Sequence, residues 1–407
     1  MNYGFIKACA VSPALRVADC PYNAQETIEA MQQAAEDGCQ LTVFPELGLT
    51  GYTCGDLFLQ QPLLDAAEAA LREILKASEA LQLVALVGLP VTVDAKLYNC
   101  AAVICQGALL GLVPKSHIPN YGEFYEKRHY CAAPAGVKEI SFAGQKTLFG
   151  TKLLFRCETM QAFTLAVEIC EDLWAPLPPS TAHALAGATV LANLSASDET
   201  VGKAEYRRAL VSQQSARLLC AYLYADAGHG ESTTDMVFSG HNLIAENGAL
   251  LAESRPFSQA LACTELDLGR LLAERRRNTS FEPVTDGYET VSFHLPLREI
   301  PLTRYISPTP FVPADGGARA ERCELILQMQ ADGLAKRIEH AHAKTAVIGI
   351  SGGLDSCLAL LVAVHAMKKL DRSMDSILAV TMPCFGTTKR TRSNAEKTSC
   401  FAAFLPR

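Results

Sequence analysis

The strongest constraint on the fold is a repeated pattern: a short apolar run that stops abruptly at a polar or charged residue. Leu41-Thr42-Val43-Phe44 stops at Pro45-Glu46, the run at 108–113 stops at Pro114-Lys115, and Thr164-Leu165-Ala166-Val167 leads into Glu168-Ile169-Cys170. Runs this short, bounded by turn residues, fit buried strands better than helices. Amphipathic stretches lie between them. One covers 24–37, with Ile28, Met31 and Ala35 on one face and Gly38 as the stop; others cover 62–80 and 204–219. Further strands are expected at 5–11, 83–89, 98–104 and 188–194, and Asn247-Gly248 between two apolar runs predicts a hairpin. Over the first ~270 residues this rhythm predicts an α/β fold of layered sheets and helices.

Further along, the texture changes. Prolines fall at 283, 296, 301, 308, 310 and 313, followed by Gly316-Gly317. This reads as a linker or wrapping arm with little regular structure. A helix at 318–342, a strand at 345–350 and an apolar helix from Cys357 to about Met367 follow. The domains expected are 1–275, an arm over 276–317, and 318–407.

Composition narrows the partners. The net charge of −7 argues against nucleic acid, which calls for a basic surface. The single basic run, Arg275-Arg276-Arg277 after Glu274, reads as a solvated face. Fifteen cysteines never come closer than five residues apart. Without a C-x-x-C pair, zinc ribbons and thioredoxin-like sites have no support, and no metal site is expected. Scattered thiols and the absence of a secretory h-region fit a reducing cytoplasm, with no membrane span.

Glu46, Lys115 and Cys170 each sit just past the end of an expected strand, where side chains converge on one crevice. A lysine cation favours a thiolate, and a glutamate can take the thiol proton, so the trio suits nucleophilic attack on an amide. Taken singly, each has an ordinary reading: a surface acid, a solvated cation and one more core thiol.

The surrounding words carry more. Pro45-Glu46-Leu47-Gly48-Leu49-Thr50-Gly51-Tyr52, Lys115-Ser116-His117-Ile118-Pro119-Asn120-Tyr121 and Glu168-Ile169-Cys170-Glu171-Asp172-Leu173-Trp174 resemble the nitrilase superfamily. The resemblance extends to the glutaminase domains of glutamine-dependent NAD synthetases. It implies an α-β-β-α sandwich, a Glu46–Lys115–Cys170 triad, L-glutamine as substrate and assembly into homo-oligomers. It also implies glutamine-binding roles for Tyr121, Ser197 and Lys203. Glu171 could serve the substrate ammonium or the oxyanion region, and Glu123 could be a second acid lining the pocket.

Ser351-Gly352-Gly353-Leu354-Asp355-Ser356 lies between an expected strand and helix. Glycines let backbone N–H groups approach an anion, and the helix start adds positive potential. Asp355 could cap that helix or help place Mg2+. The ordinary reading is a glycine-rich turn with a serine cap. The motif resembles the pyrophosphate loop of N-type ATP pyrophosphatases, which implies ATP, Mg2+ and deamido-NAD as ligands and a doubly wound α/β domain of the adenine nucleotide alpha hydrolase type. Thr381-Met382-Pro383 and Gly386-Thr387-Thr388 resemble the same family's nucleotide segment. Only 51 residues follow Ser356, and Lys397–Arg407 lacks a clear helix-to-strand continuation, so a truncated synthetase domain and a chain retaining only the glutaminase half are expected. Two rival readings remain: a stand-alone nitrilase-type amidase and a non-catalytic subunit.

Overall fold

Alternation along the strands becomes layering in three dimensions. In β1 (Phe5–Ala10), Ile6, Ala8 and Ala10 enter one apolar core while Cys9 faces the other way. The structure is a computed structural model describing residues 4–233, 235–258, 261–382 and 388–403. The chain divides into two units between Arg304 and Tyr305.

In the first unit, β2 (Leu41–Val43), β3 (Val84–Val93), β4 (Lys96–Cys105), β5 (Ala108–Pro114), β6 (Lys138–Phe142) and β7 (Gln145–Phe149) follow β1. Then come β8 (Leu153–Cys157), β9 (Thr164–Ile169), β10 (Val190–Ser195), β11 (Ala221–Asp226), β12 (Leu243–Glu246) and β13 (Ala249–Glu253). β14 (Ala262–Asp267) and β15 (Glu289–Phe293) complete the set. One sheet runs β14-β1-β2-β3-β4-β5-β7-β6 and the other β13-β12-β11-β10-β9-β8-β15. Leu41, Val43 and Leu86 of the first sheet share a buried core with Phe155, Val190 and Ala192 of the second.

Helices α1 (Cys20–Glu36) and α2 (Gln61–Ser78) cover the outer face of the first sheet through Met31, Leu71 and Ile74. After α3 (Glu171–Trp174), α4 (Pro179–Leu185) and α5 (Lys203–Arg217) cover the second through Ala184 and Val211. The result is the expected α-β-β-α sandwich. α1 begins earlier than its apolar periodicity indicates. Asp19 Oδ1 caps it by accepting from the Tyr22 N–H at 3.2 Å, and Pro21 lies in its first turn. Asn247 and Gly248, both at positive φ (46° and 86°), close the expected hairpin.

Two readings need correction. The arm is not irregular throughout: β15 pairs in parallel with β8, and Thr303 and Arg304 bond Glu265, so its first part packs with the first unit. The basic run is not wholly solvated either. It ends α6 (Leu268–Arg277), and Arg275 donates to the carbonyls of Ala188 (2.6 Å), Leu218 (3.0 Å) and Leu219 (3.0 Å). Burial pulls that guanidinium down to about 10, while neighbouring Arg276 and Arg277 are exposed. A run of like residues does not reveal which member meets orphan carbonyls at a neighbouring helix end.

The second unit holds α7 (Gly316–His340), β16 (Ala346–Gly349), α8 (Leu354–Lys369), β17 (Ile377–Val380) and α9 (Lys389–Ala403). β16 and β17 are parallel, with α8 as the crossover. Asp315 caps α7 by accepting from the Ala318 N–H at 2.7 Å. Pro383, Gly386, Thr387 and Phe404–Arg407 lie outside the described residues. No helix among the described residues is long and apolar enough to cross a membrane.

Candidate active site

β2 and β3 are parallel, and β3–β4 and β4–β5 are antiparallel, so β2 and β5 point the same way. Glu46 and Lys115 therefore leave the same end of one sheet. Cys170 leaves β9, and Ser195 to Ser197 leave its parallel neighbour β10. Facing sheets bring these ends together. Glu46 N–H donates to the Ser195 carbonyl at 3.3 Å, and Ala196 N–H donates to Glu46 Oε2 at 3.0 Å.

The Lys115 ammonium is fully buried and donates to Glu46 Oε1 and to Glu126 Oε1, each at 2.6 Å. Burial disfavours its charge, but Glu126 and Glu46 outweigh burial and raise its affinity for the proton. Glu126 is pushed up to about 7 by burial and by Glu46, against the pull of Lys115. Tyr52 OH donates to Glu126 Oε1 at 2.9 Å, and Asn99 Nδ2 donates to Glu46 Oε1 at 2.6 Å.

Cys170 is held at φ 44°, ψ −102°, a conformation that L residues avoid. Its N–H is shared between the Leu194 carbonyl and Asn193 Oδ1, each at 3.0 Å. Burial and Glu46 push the Cys170 thiol up, while Lys115 and the Ser195 hydroxyl pull it down. Burial wins. The net push is upward and favours the protonated thiol, and a carboxylate beside it can take the proton.

The other expected residues gather nearby. Tyr121 OH donates to both Glu171 oxygens, at 2.9 and 3.0 Å. Partial burial and that contact push the phenol up to about 12. Lys203 pairs with Asp198 and sits over the rings of Trp174 (5.5 Å) and Phe124 (5.9 Å). Ser197 is buried, its N–H donating to Asp226 Oδ1 at 2.8 Å. A concavity of about 770 Å³ reaches Tyr121 and Glu171, and one of about 250 Å³ reaches Glu126 and Glu123. Cys170, 6% exposed, lines neither.

Four contributors escaped the sequence reading. Glu126 is a second acid at the lysine, while Glu123, expected as an acid lining the pocket, lines the smaller concavity. Two acids three residues apart look alike in sequence, and only the turn at 126–128 decides which one faces inward. Asp172 accepts from the N–H groups of Ser116 (3.1 Å), His117 (2.7 Å) and Ile169 (3.0 Å), tying the lysine segment to the cysteine elbow. Asn193 grips that elbow. Gly88 on β3 leaves room for the Glu46 turn, since a Cβ there would meet Leu47 N at 2.4 Å and Pro45 O at 2.6 Å. None stands out by spacing, because each acts through a partner far along the chain.

In the second unit, Ser351 to Ser356 link β16 to α8 as expected. Gly352 sits at φ 80°. The Ser351 and Ser356 hydroxyls are 3.2 Å apart, Ser351 N–H donates to Ser356 Oγ at 3.3 Å, and Gly353 N–H donates to Ser351 Oγ at 3.3 Å. Ser351, Gly353, Leu354 and Asp355 are exposed. Donor hydroxyls and N–H groups at the start of a 16-residue helix suit an anion.

A cysteine elbow, a buried lysine and two glutamates between facing sheets define a carbon–nitrogen hydrolase. The carbon-nitrogen hydrolase family profile matches residues 7–276, and the chain belongs to that family. The NAD synthase family profile matches residues 326–405. Among curated proteins, the chain is 42% identical to the glutamine-dependent NAD(+) synthetase of Mycobacterium tuberculosis and 40% identical to that of Mycobacterium leprae. Each alignment covers 97% of this chain and 60% of the relative, so the chain spans about 60% of the length of these relatives. The second match gives no support to a chain that retains only a glutaminase half. Among solved structures, a glutamine-dependent NAD(+) synthetase from Cytophaga hutchinsonii aligns at TM-score 0.58 and 20% identity, covering 98% of this chain and 64% of that one. A carbon-nitrogen hydrolase from Helicobacter pylori aligns at TM-score 0.55 and 18% identity, covering 68% and 94%. Both likenesses concern the fold.

Proposed function

We propose that the chain hydrolyses L-glutamine at Cys170 and that the ammonia serves ATP-dependent amidation of deamido-NAD. The observation that carries this reading is the buried Lys115 ammonium clasped by Glu46 and Glu126 at 2.6 Å each, beside a cysteine held at positive φ.

Glu46 takes the thiol proton as Cys170 Sγ attacks the glutamine amide carbon. Lys115 faces the oxyanion that forms. The C–N bond breaks as Glu46 returns its proton to the leaving nitrogen, releasing ammonia and leaving a thioester. Water, deprotonated by Glu46, attacks that thioester; the C–S bond breaks, the thiol regains its proton and glutamate leaves. Tyr121, Ser197, Lys203 and Glu171 surround the α-amino and α-carboxylate groups of glutamine. Lys203 and the Ser197 hydroxyl suit the carboxylate, and Glu171 suits the ammonium.

At the second site, Ser351 to Ser356 hold the phosphates of ATP, and Asp355 is the carboxylate available to Mg2+. ATP transfers its adenylyl group to the deamido-NAD carboxylate, pyrophosphate leaves, and ammonia displaces AMP. The relatives' names and the match over 326–405 support this half. The scattered thiols fit a cytoplasmic setting. Homo-oligomer formation belongs to the same reading and is measured by size-exclusion chromatography with light scattering.

The test is ammonia release from glutamine by the wild-type chain and by Cys170→Ala, with NAD formation followed after adding deamido-NAD and Mg-ATP. The variant is expected to lose on the order of 10⁴-fold or more while keeping its far-UV spectrum. Equal ammonia release from both proteins would sink the assignment. Ammonia without NAD would confine the activity to the first unit.

A further inference from the structure

Outside the catalytic centre, three thiols meet at one point. Cys9 on β1 and Cys263 on β14 are direct partners in the antiparallel ladder. Cys39 arrives from the turn between α1 and β2, where Gly38 takes φ 82° and the Cys39 N–H bonds the Ala34 carbonyl at 2.9 Å. The three Sγ atoms all lie within 4.8 Å of one another, and Cys39 Sγ is 3.4 Å from Cys263 Sγ. Cys9 and Cys39 are 1% exposed, whereas Cys263 is half-buried.

We propose that Cys9, Cys39 and Cys263 form a zinc site, with three thiolates from three separate chain segments and a water entering past Cys263 as the fourth ligand. Zinc–sulfur bonds of ~2.3 Å in a tetrahedron place sulfurs ~3.8 Å apart. The Cys39–Cys263 separation lies within a few tenths of an ångström of that value, and the other two, at no more than 4.8 Å, exceed it by about 1 Å at most. A lone pair of cysteines would suit a disulfide, but the third sulfur converging on the same point makes a tripod. Charge favours a divalent ion over copper(I). Three thiolates with Zn2+ leave one negative charge, and Lys7, two residues before Cys9 on the same strand face, supplies a positive one. Its ammonium donates to the Asp37 carbonyl at 2.8 Å, so it sits at the corner that carries Cys39. No fourth histidine, cysteine or acid joins the cluster among the described residues, which fits a water at the open side. The ion would pin the β14–β1 edge of the first sheet to the end of α1.

The experiment uses the full chain, reduced, stripped with a chelator and titrated with Zn2+ against a chromophoric competitor. One equivalent is expected to bind per chain, at least 100-fold more tightly than in Cys39→Ser or Cys263→Ser. Cys170→Ala keeps the equivalent, excluding the nucleophile as a ligand. Should the serine variants fail to fold, the wild-type chain decides alone. Cd2+ is expected to give a thiolate charge-transfer band that saturates at one equivalent. Zinc is expected to shield Cys9, Cys39 and Cys263 from alkylation while exposed Cys323 still reacts. Overturning outcomes are no saturation, unchanged zinc affinity in folded Cys39→Ser and Cys263→Ser, a Cys39–Cys263 disulfide that persists in place of metal, or copper(I) binding that zinc cannot match.

Discussion

Polar turns follow strand ends in both units, and the two sites manage charge in opposite ways. Glu46, Lys115 and Cys170 are 1%, 0% and 6% exposed, with the Lys115 ammonium paired to Glu46 and Glu126 and Glu46 also held by the Ala196 N–H. Such a site must balance its own charge before substrate arrives, because an unpaired ion in a dry interior is costly. The turn after β16 is exposed and held only by serine hydroxyls and backbone N–H groups. Covalent chemistry on an amide, as proposed for the first site, asks for a closed, internally paired design, and the phosphate capture proposed for the second asks for an open one.

The largest expected effect tests the charge balance directly. Lys115→Met leaves Glu46 and Glu126 facing each other without the cation. We expect a loss of about 3–5 kcal/mol in denaturant unfolding of the first unit, together with the loss of ammonia release. A change under about 1 kcal/mol would mean that the trio does not need internal neutrality. Gly88→Ala comes next, since its methyl must displace the Glu46 turn. A kcat for glutamine hydrolysis lower by about 10²-fold is expected, with a stability cost of about 1–3 kcal/mol. Wild-type kinetics would show that the turn can yield without moving the base.

A pH experiment sharpens the contrast further. Burial pushes Glu168 up to about 7, against bonds from the Tyr222 hydroxyl and, at 2.7 Å, the Ser180 N–H. The folded state therefore keeps a proton that the unfolded chain releases near pH ~4.5. This contribution is complete below the unfolded value and disappears as pH rises through about 7. Relative to wild type, Glu168→Gln should flatten the fall in stability across that window by at most about 1.4 kcal/mol per pH unit. Parallel curves would remove Glu168 from the balance. The smallest effect belongs to the exposed loop. Ser356→Ala removes the hydroxyl that touches Ser351 and Gly353, and pyrophosphate binding by calorimetry should weaken about 5–10-fold. Ammonia release should stay constant; a drop would show that the open site acts on the closed one.

How much could be read beforehand depended on range. Strand ends at Glu46, Lys115 and Cys170 were legible because each apolar run stops locally, and the Asn247-Gly248 hairpin because two adjacent residues dictate its turn. The Ser351–Ser356 loop was legible for the same reason, since its glycines and serines act on their own backbone. Glu126, Asp172 and Gly88 were not. Glu126 looks like Glu123, Asp172 looks like any acid beside a catalytic word, and Gly88 looks like a weak point in a strand. Arg275 looked like its exposed neighbours, and the strand at 289–293 was masked by the prolines around it.

Residue order by itself determined the layers, because side-chain period and turn chemistry are properties of neighbours. It also determined which acid, cation and thiol stand at strand ends. Tertiary structure alone decided which acid shares the lysine, which glycine admits the Glu46 turn, and which three of the described cysteines meet. Those choices rest on distances between segments tens to hundreds of residues apart. They are set when the strands and turns of the first sheet assemble, and no local pattern encodes them.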